Sequence, residues 1–316
     1  MKTAFLFPGQ GSQYVGMGRD LFDHFPEARA RFEDADNALG FSITALMFDT
    51  ESDEAADRLK QTDVTQPAIY LHSMAAMAVM AAQGQSPDVT AGHSLGEYSA
   101  LAAARAIRFE DGLRIVRLRG QLMAEAGHER PGTMAALLGM SDEDVERLCR
   151  DASEEGAFVG PANYNAPGQV VVSGDVEAVE RAVVLAGERG ARRALPLPVS
   201  GAFHSPLMDD ARDGLARALV DLDIQEPRCP VYLNVTAAPT TDPHEIRERL
   251  LEQLIAPVLW SQTLQTMNAD GVGRFVEVGP GKVLTGLVRR TLRRDAETAS
   301  TGTAEDLQAL GQAMTS

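Results

Sequence analysis

The chain has 316 residues, 44% of them hydrophobic, and carries a formal net charge of −16 at pH 7. This length and composition are enough for a large core, in one big domain or in a big domain with a smaller partner. The negative charge argues against nucleic-acid binding, which needs a basic face. No apolar run is long enough to cross a bilayer, and the apolar start at residues 3–7 is too short for a signal peptide, so we expect a cytoplasmic protein.

Neither the cysteines nor the histidines follow a metal-binding pattern. Cys149 and Cys229 are far apart and match no metal or redox spacing, so both are expected to be buried thiols. The six histidines show no paired ligand spacing. We therefore expect no metal.

Strands and helices alternate along the first part of the chain. Residues 3–7 form a short apolar run closed by a Pro-Gly pair, which predicts a buried strand. A helical pattern opens at Pro67 and runs to residue 82, a strand at 89–91 follows, and residues 111–126 predict another helix. This alternation favours a parallel α/β sheet.

The pattern changes near residue 128. The elements predicted there are strands at 133–138, 158–160, 169–173 and 194–197, with helices at 141–151 and 175–188. A capping box at Ser141 opens the first helix, and Asp175 is a good N-cap for the second. The order β-α-β-β-α-β is typical of a ferredoxin-like unit.

The parallel pattern resumes near residue 198. Strands are predicted at 231–234 and 274–278, and the tail at 295–316 reads as a short helix with frayed ends. We therefore predict a large α/β domain formed by residues 1–127 and 198–316, with a ferredoxin-like insert at 128–197. The active site is expected in the cleft between them.

The most informative motif is G-x-S-x-G at residues 92–96, centred on Ser94. It follows the strand predicted at 89–91 and precedes a helical pattern at 97–102. This is the context of a nucleophile elbow, a sharp turn that leaves the serine hydroxyl exposed. A plain tight turn is the alternative, and the flanking elements favour a nucleophilic Ser94.

A serine nucleophile needs a base within hydrogen-bond reach. His93 is adjacent to Ser94, but neighbouring side chains of an extended strand point to opposite faces, which argues against it. His204 lies in a loop where the chain re-enters the large domain, and is the better candidate base. A surface-loop histidine remains an open alternative at that position.

The base must also be oriented, and no isolated Asp or Glu stands out for this purpose. In a continuous helix the Gln253 carbonyl would accept from residue 257, which is a proline without an N–H. That carbonyl is therefore free to accept from an imidazole. The alternative is that it binds water at a helix end.

Arg119 lies on the apolar face of the helix predicted at 111–126, among Ile115, Val116, Leu122 and Met123. A buried guanidinium needs a carboxylate or a cluster of acceptors. The residues leave two alternatives open: a structural ion pair with an acidic side chain, or a bidentate clamp for a substrate carboxylate.

Two glycine-rich loops, at residues 8–13 and 279–283, lack the features of a nucleotide phosphate loop. The first has no P-loop lysine, and in the second Val283 replaces the required Ser or Thr. Both are expected to shape the backbone instead. The backbone N–H of Gln10 and that of Leu95, which follows the nucleophile, are the predicted donors of an oxyanion hole.

Together these residues resemble the malonyl-CoA:acyl carrier protein transacylase family. The resemblance covers essentially the whole chain, in seven blocks that occur in the right order: FPGQGSQ at 7–13, TQPA at 65–68, GHSLGEY at 92–98, RG at 119–120, NYNAPGQ at 163–169, GAFHS at 201–205 and EVGPGKVL at 277–284. It implies an α/β-hydrolase-like domain with a ferredoxin-like insert.

The resemblance also implies a role for each candidate residue. Ser94 is then the nucleophile, His204 the base, the Gln253 carbonyl its orienter and Arg119 the malonyl clamp. Gln10 and Leu95 form the oxyanion hole. Related domains that use malonyl units carry a Phe before the histidine, and those that use methylmalonyl units carry a Ser, so Phe203 points to malonyl.

The implied partners are malonyl-CoA as substrate and acyl carrier protein as acceptor, with no cofactor and a monomeric enzyme. Because carrier proteins are acidic, docking needs a local basic patch, for which residues 192–193 and 289–290 are candidates. A serine hydrolase or thioesterase would use the same elbow, base and oxyanion hole. A non-catalytic carrier-protein-binding module is a third alternative, which the combination of Ser94, His204 and Arg119 disfavours.

Overall fold

The computed structural model describes residues 1–153, 156–199 and 201–315. Ser316, the last residue of the predicted tail helix, lies outside the described residues. Up to residue 129 the elements are β1 (Lys2–Phe7), α1 (Arg19–His24), α2 (Pro26–Leu39), α3 (Ile43–Phe48), α4 (Asp53–Lys60), α5 (Thr62–Ala82), β2 (Val89–Gly92), α6 (Gly96–Ala103) and α7 (Phe109–Glu129).

The middle of the chain contains β3 (Gly132–Leu138), α8 (Asp142–Ala152), β4 (Val159–Ala166), β5 (Gln169–Asp175), α9 (Val176–Glu188) and β6 (Arg193–Pro196). After a 3-10 turn at Pro206–Met208 follow α10 (Asp209–Val220), β7 (Val231–Tyr232), β8 (Pro239–Thr240), α11 (Pro243–Glu252), α12 (Trp260–Ala269), β9 (Val272–Glu277), α13 (Val283–Leu292), β10 (Glu297–Ser300) and α14 (Ala304–Thr315).

The larger sheet has six strands in the order β10-β9-β1-β2-β7-β8. All neighbouring strands are parallel except β8, which pairs antiparallel with β7. The predicted parallel α/β sheet is thus confirmed. Helices cover both faces, so alternate residues of β1 belong to two different hydrophobic clusters: Phe5 and Phe7 to one, Ala4 and Leu6 to the other.

The smaller sheet is antiparallel, in the order β4-β5-β3-β6. Its chain order β3-α8-β4-β5-α9-β6 confirms the predicted β-α-β-β-α-β unit. It has a hydrophobic cluster of its own. A parallel bridge between Asn163 and Val258 ties its outer strand to the rest of the chain. The exact domain bounds, 127/128 and 197/198, stay a prediction.

The helix predicted to open at Pro67 begins five residues earlier, at Thr62. Proline costs a helix one backbone hydrogen bond, which is why its position suggested a helix start. Here Val64, Thr65 and Gln66 are buried, and this burial favours the helical turn that precedes the proline.

The tail was predicted as a helix only, and this was wrong for residues 297–300. These residues form β10, which pairs in parallel with β9 at the edge of the larger sheet. An edge strand has only one neighbouring strand, and the sequence ETAS carries no apolar alternation from which a strand is recognised.

Two smaller expectations also need correction. Ser141 caps α8 by accepting from the Asp144 amide at 3.2 Å, as predicted. Asp175 does not cap α9 with its side chain, because its carboxylate accepts the amide of Phe158, the residue before β4, at 2.7 Å. Both cysteines are free thiols, but only Cys149 is buried and Cys229 is half-buried.

Within the described ranges, no helix is long and apolar enough to span a membrane.

Candidate active site

Ser94 lies on the sharp turn between β2 and α6, with a positive φ of 53°. The turn is compact because glycines flank it. A Cβ on Gly92 would lie 1.8 Å from the Gly96 carbonyl group, and one on Gly96 would lie 2.0 Å from the Phe7 carbonyl oxygen. Neither position therefore tolerates a side chain, and the elbow adopts the geometry that its motif predicts.

His204 lies within hydrogen-bond reach of Ser94. Its Nε2 is 2.8 Å from the Ser94 Oγ, and its Nδ1 is 2.7 Å from the Gln253 carbonyl oxygen. Because a carbonyl can only accept, the proton of the neutral imidazole is on Nδ1 and Nε2 is free to accept from the serine hydroxyl. His204 is 5% exposed, so it is not a surface-loop histidine.

The Gln253 carbonyl is free for a simpler reason than the one argued from the sequence. The helix α11 ends at Glu252, and Gln253 is its C-cap. The last carbonyls of a helix have no partner inside it, with or without a proline further on. One of these carbonyls meets the imidazole of His204 instead of water.

Arg119 is 1% exposed and reaches the same serine. Its Nη2 donates to the Ser94 Oγ at 3.2 Å and to the Gln253 Oε1 at 2.9 Å, and its Nη1 donates to the Gln66 Oε1 at 2.8 Å. Among the described residues, no carboxylate forms a salt bridge with Arg119. Within the same described ranges its Nε has no hydrogen-bond partner. Its acceptors are two side-chain amides and one hydroxyl, none of them charged, so the guanidinium can attract an anion in the pocket.

A pocket of about 110 Å³ joins these groups. Its lining contains six of the seven predicted site residues, and it consists of Gln10, Gln66, His93, Ser94, Leu95, Arg119, Met123, Met134, Asn163, Leu197, Val199, Phe203 and His204. Gln253, the seventh, lies behind this wall and contacts Ser94, Arg119 and His204.

Gln10 and Leu95 are the predicted donors to a developing oxyanion. Both line the pocket beside Ser94. Within the part of the chain that the structure describes, neither backbone N–H is the donor of a hydrogen bond. Free amides that border a nucleophile can bind an oxyanion without giving up another partner.

His93 lines the pocket as well, which differs from the expectation that it faces the opposite side. The left-handed backbone of Ser94 replaces the extended geometry on which that expectation rested. The His93 Nε2 pairs with the Asn165 Oδ1 at 2.7 Å, and the imidazole lies edge-on to Trp260. It is therefore engaged away from the serine hydroxyl.

Burial lowers the pKa of His204 to about 3, and the nearby positive charge of Arg119 adds to this effect. Burial also lowers the pKa of His93 and that of Arg119. Both imidazoles are thus neutral near pH 7. A neutral, oriented imidazole that accepts from a serine hydroxyl is the arrangement of a nucleophile with its general base.

Four polar residues of this site carried no role in the sequence analysis: Gln66, Glu97, Asn163 and Asn234. The Asn234 side chain holds both sides of the elbow, accepting from the Ser94 N–H and donating to the Gly92 carbonyl, each at 2.7 Å. Glu97 is fully buried and accepts the Asn234 backbone N–H at 2.7 Å. A polar Gln66 inside the apolar stretch of α5 was the one available signal.

Across the described ranges, no group of three or more His, Cys, Asp or Glu residues could hold a metal ion.

Known proteins are similar to this chain over nearly its whole length. The family model for the acyl transferase domain matches residues 4–310. The malonyl CoA-acyl carrier protein transacylase of Bacillus subtilis (strain 168) is 46% identical over 293 residues, which cover 93% of this chain and 91% of the relative. The one of Escherichia coli (strain K12) is 45% identical over 298 residues, 94% of each chain.

Solved structures agree with this. The malonyl CoA-acyl carrier protein transacylase from Coxiella burnetii superposes with a TM-score of 0.94 at 38% identity, covering 100% of this chain and 98% of the other. A malonyl-transacylase in complex with its type II PKS acyl-carrier protein gives a TM-score of 0.94 at 40% identity, with 99% and 100% coverage. The predicted α/β architecture with its second, smaller sheet is that of these enzymes, and the chain belongs to the acyl transferase domain family.

Proposed function

We propose that the chain transfers the malonyl group from malonyl-CoA to the phosphopantetheine thiol of acyl carrier protein, through a malonyl ester on Ser94. The relatives named above support the substrates. One observation carries the chemistry: the Ser94 Oγ lies 2.8 Å from the His204 Nε2 and 3.2 Å from the Arg119 Nη2 in a single pocket. The base and the carboxylate clamp thus both contact the hydroxyl oxygen of the nucleophile.

In the first half-reaction His204 Nε2 takes the Ser94 hydroxyl proton while Oγ attacks the thioester carbonyl. The backbone amides of Gln10 and Leu95 donate to the resulting oxyanion. When the carbon–sulfur bond breaks, the thiolate receives the proton from His204 and leaves as coenzyme A. The Gln253 carbonyl keeps the imidazole in the required tautomer throughout.

The second half-reaction reverses these steps with a new thiol. His204 takes the proton of the phosphopantetheine thiol, and the sulfur attacks the malonyl ester. Collapse of the tetrahedral species breaks the bond to Ser94 Oγ, which recovers its proton from His204. Two half-reactions through one covalent intermediate give ping-pong kinetics.

Arg119 sets the acyl group that the pocket accepts. A malonyl carboxylate left unpaired in this pocket would cost several kcal/mol, and its pairing with Arg119 offsets that cost. An acetyl group offers the buried guanidinium no carboxylate inside the pocket. Phe203 borders the same pocket and is 6% exposed, which leaves little room for the extra methyl of a methylmalonyl group.

Intact-mass analysis after exposure to malonyl-CoA alone tests this proposal. The expected result is a malonyl adduct on Ser94 in the wild-type chain and no adduct in Ser94→Ala. Ser205→Ala, which alters a buried serine in the same region, is the control that should still be labelled. Steady release of free malonate would indicate a hydrolase, and the absence of any adduct would indicate a binding module.

For the carrier protein we propose a docking patch formed by residues 192–193 and 289–290. All four arginines are exposed. In the described part of the chain neither Arg289 nor Arg290 forms a salt bridge; their hydrogen-bond partners are Thr298 and Gln169. An acidic partner can therefore meet unneutralised charge on a protein that is acidic overall.

Charge reversal tests the patch. In the double variant Arg289→Glu/Arg290→Glu, we expect a higher KM for the carrier protein and an unchanged KM for malonyl-CoA. The double variant Arg58→Glu/Lys60→Glu changes the net charge equally at an exposed site on α4 and should leave both constants unchanged. Equal effects of the first variant on both substrates would contradict the patch.

A further inference from the structure

Glu97 is a buried carboxylate that the mechanism above does not use. It lies in the first turn of α6, three residues after Ser94, and none of its surface is exposed. Its Oε2 accepts the Asn234 N–H, while its Oε1 has no hydrogen-bond partner among the residues that the structure describes. A charged carboxylate with one unsatisfied oxygen is costly in a dry interior, so its presence at this place calls for a charge that compensates it.

That charge is Arg119. Glu97 is the carboxylate whose field acts on the Arg119 guanidinium, and the two are separated by the side-chain amide of Gln253. The Gln253 Oε1 accepts from Arg119 at 2.9 Å, and its Nε2 donates to the Ser94 carbonyl at 3.0 Å beside the Glu97 carboxylate. The Gln253 amide thus lies between the guanidinium, from which its Oε1 accepts, and the buried carboxylate.

The other titratable groups near Glu97 are neutral around pH 7. Burial raises the pKa of the adjacent Tyr98 phenol to about 12, and burial keeps both His93 and His204 below their ordinary pKa. The same cause raises the pKa of Glu97 to about 7, and the Asn234 N–H, the Gln253 amide and, to a smaller extent, the charge of Arg119 oppose this rise. The charge state of the buried cluster therefore depends on Glu97 alone.

We propose that Glu97 is the buried counter-charge of Arg119, and that it takes up one proton from solvent when a malonyl carboxylate pairs with that guanidinium. This rests on the proposed function. The reason is charge balance: one guanidinium faces one carboxylate in the free enzyme and two in the malonyl-enzyme. Because the second negative charge disfavours ionised Glu97, the proton binds to its carboxylate and the cluster stays neutral.

The coupling has a defined sign. A malonyl group nearby raises the pKa of Glu97, so loading takes up a proton. Malonyl loading therefore weakens as the pH rises above the pKa that Glu97 has in the free enzyme. The fall approaches tenfold per pH unit only above the Glu97 pKa of about 7 in the free enzyme. The coupling therefore predicts about a tenfold fall in the equilibrium constant for malonyl-Ser94 formation between pH 6 and pH 8.

The equilibrium constant is measured by intact mass at fixed ratios of malonyl-CoA to coenzyme A, from pH 6 to pH 8. Glu97→Gln keeps an acceptor for the Asn234 N–H but cannot titrate, so its profile should lack the tenfold fall. Glu277→Gln is the matched control. Glu277 is also fully buried with a raised pKa, but it accepts from the amides of Leu284 and Thr285 away from the pocket. Its profile should follow the wild type.

Parallel profiles for Glu97→Gln and wild type would overturn the inference while leaving the proposed function intact, because the malonyl adduct would still form. If no adduct forms in the wild type, the proposed function itself fails. Should Glu97→Gln not fold, calorimetry of wild-type loading in buffers of different ionisation enthalpy counts the protons directly. About half a proton taken up at pH 7 supports the coupling, and none overturns it.

Discussion

The two sheets of this molecule contribute different things to one pocket. The proposed reacting groups all come from segments around the six-stranded sheet: Ser94, His204, Gln253 and Arg119. The four-stranded sheet and its connections contribute walls, which are Met134, Asn163, Leu197 and Val199. The proposed reacting groups thus all come from one part of the chain, whereas the other part contributes only walls.

Burial explains this division. Both faces of the larger sheet are covered, and Ser94 and Arg119 are held by several hydrogen bonds each. Groups held this rigidly keep the sub-ångström geometry that catalysis needs. The edge strand β6 of the smaller sheet is mostly exposed, with Leu195 46% exposed. A wall tolerates variation that a reacting group does not, so substitutions in the two regions should differ in size and kind.

The largest effect is expected for His204→Ala. Loss of the general base should slow formation of malonyl-Ser94 by about 10³-fold, since positioned proton transfer contributes 10²–10⁴-fold. Quenched-flow mass analysis measures this rate. His244→Ala, an exposed histidine on α11, is the control and should react at the wild-type rate. A loss of less than tenfold would assign the base to another group.

Arg119→Ala should change the selectivity between malonyl and acetyl groups more than it changes the stability of the ester on Ser94. Losing one partner of a buried charge pair costs 2–5 kcal/mol, so we expect the ratio of malonyl to acetyl transfer to fall by about 100-fold. The ratio is measured by competition between the two acyl-CoA substrates. Arg117→Ala on the same helix should leave the ratio unchanged. Unchanged selectivity in Arg119→Ala would refute the clamp.

The buried histidines extend the comparison of the two regions to the pH dependence of stability. Burial lowers the pKa of His72 on α5 to about 4, below its unfolded value, so the unfolded chain binds the extra proton as pH falls below about 6.5. Because of His72, the free energy of unfolding should therefore fall by about 2 kcal/mol when the pH is lowered from 7.5 to 5.

Urea unfolding at both pH values measures this change. His72→Leu should lose less stability on acidification than the wild type, and His244→Leu should behave as the wild type does. Equal acid sensitivity in His72→Leu and wild type would show that His72 is not the titrating group. No histidine lies between residues 129 and 203, so the smaller sheet contributes no such acid sensitivity.

The smallest effect is expected in the wall. Leu197→Ala removes apolar surface from the pocket, and we expect roughly a threefold increase in the KM for malonyl-CoA with kcat unchanged. Leu195→Ala, two residues earlier on β6 and not in the pocket lining, is the control. A fall in kcat comparable to that of His204→Ala would mean that the wall positions reacting groups after all.

Much of the fold could be predicted because it depends on local pattern. Apolar runs closed by turn residues located β1 and the strand before Ser94, and the alternation of elements predicted both sheets. The strand β10 escaped prediction, because its pairing with β9 rather than its own residues makes it a strand. The start of α5 was predicted too late in the chain for a related reason. Packing of the preceding turn outweighed the hydrogen bond that Pro67 costs the helix.

The sequence by itself determined which chemistry was available: a serine on a glycine-flanked turn, an arginine on an apolar helix face, and candidate partners among few histidines. The tertiary structure alone decided that residues 25, 110 and 159 positions away from Ser94 meet at its hydroxyl and carbonyl. It also decided that Glu97 and Asn234 belong to the site. Such contacts depend on chain closure over long separations, for which no local pattern carries a signal.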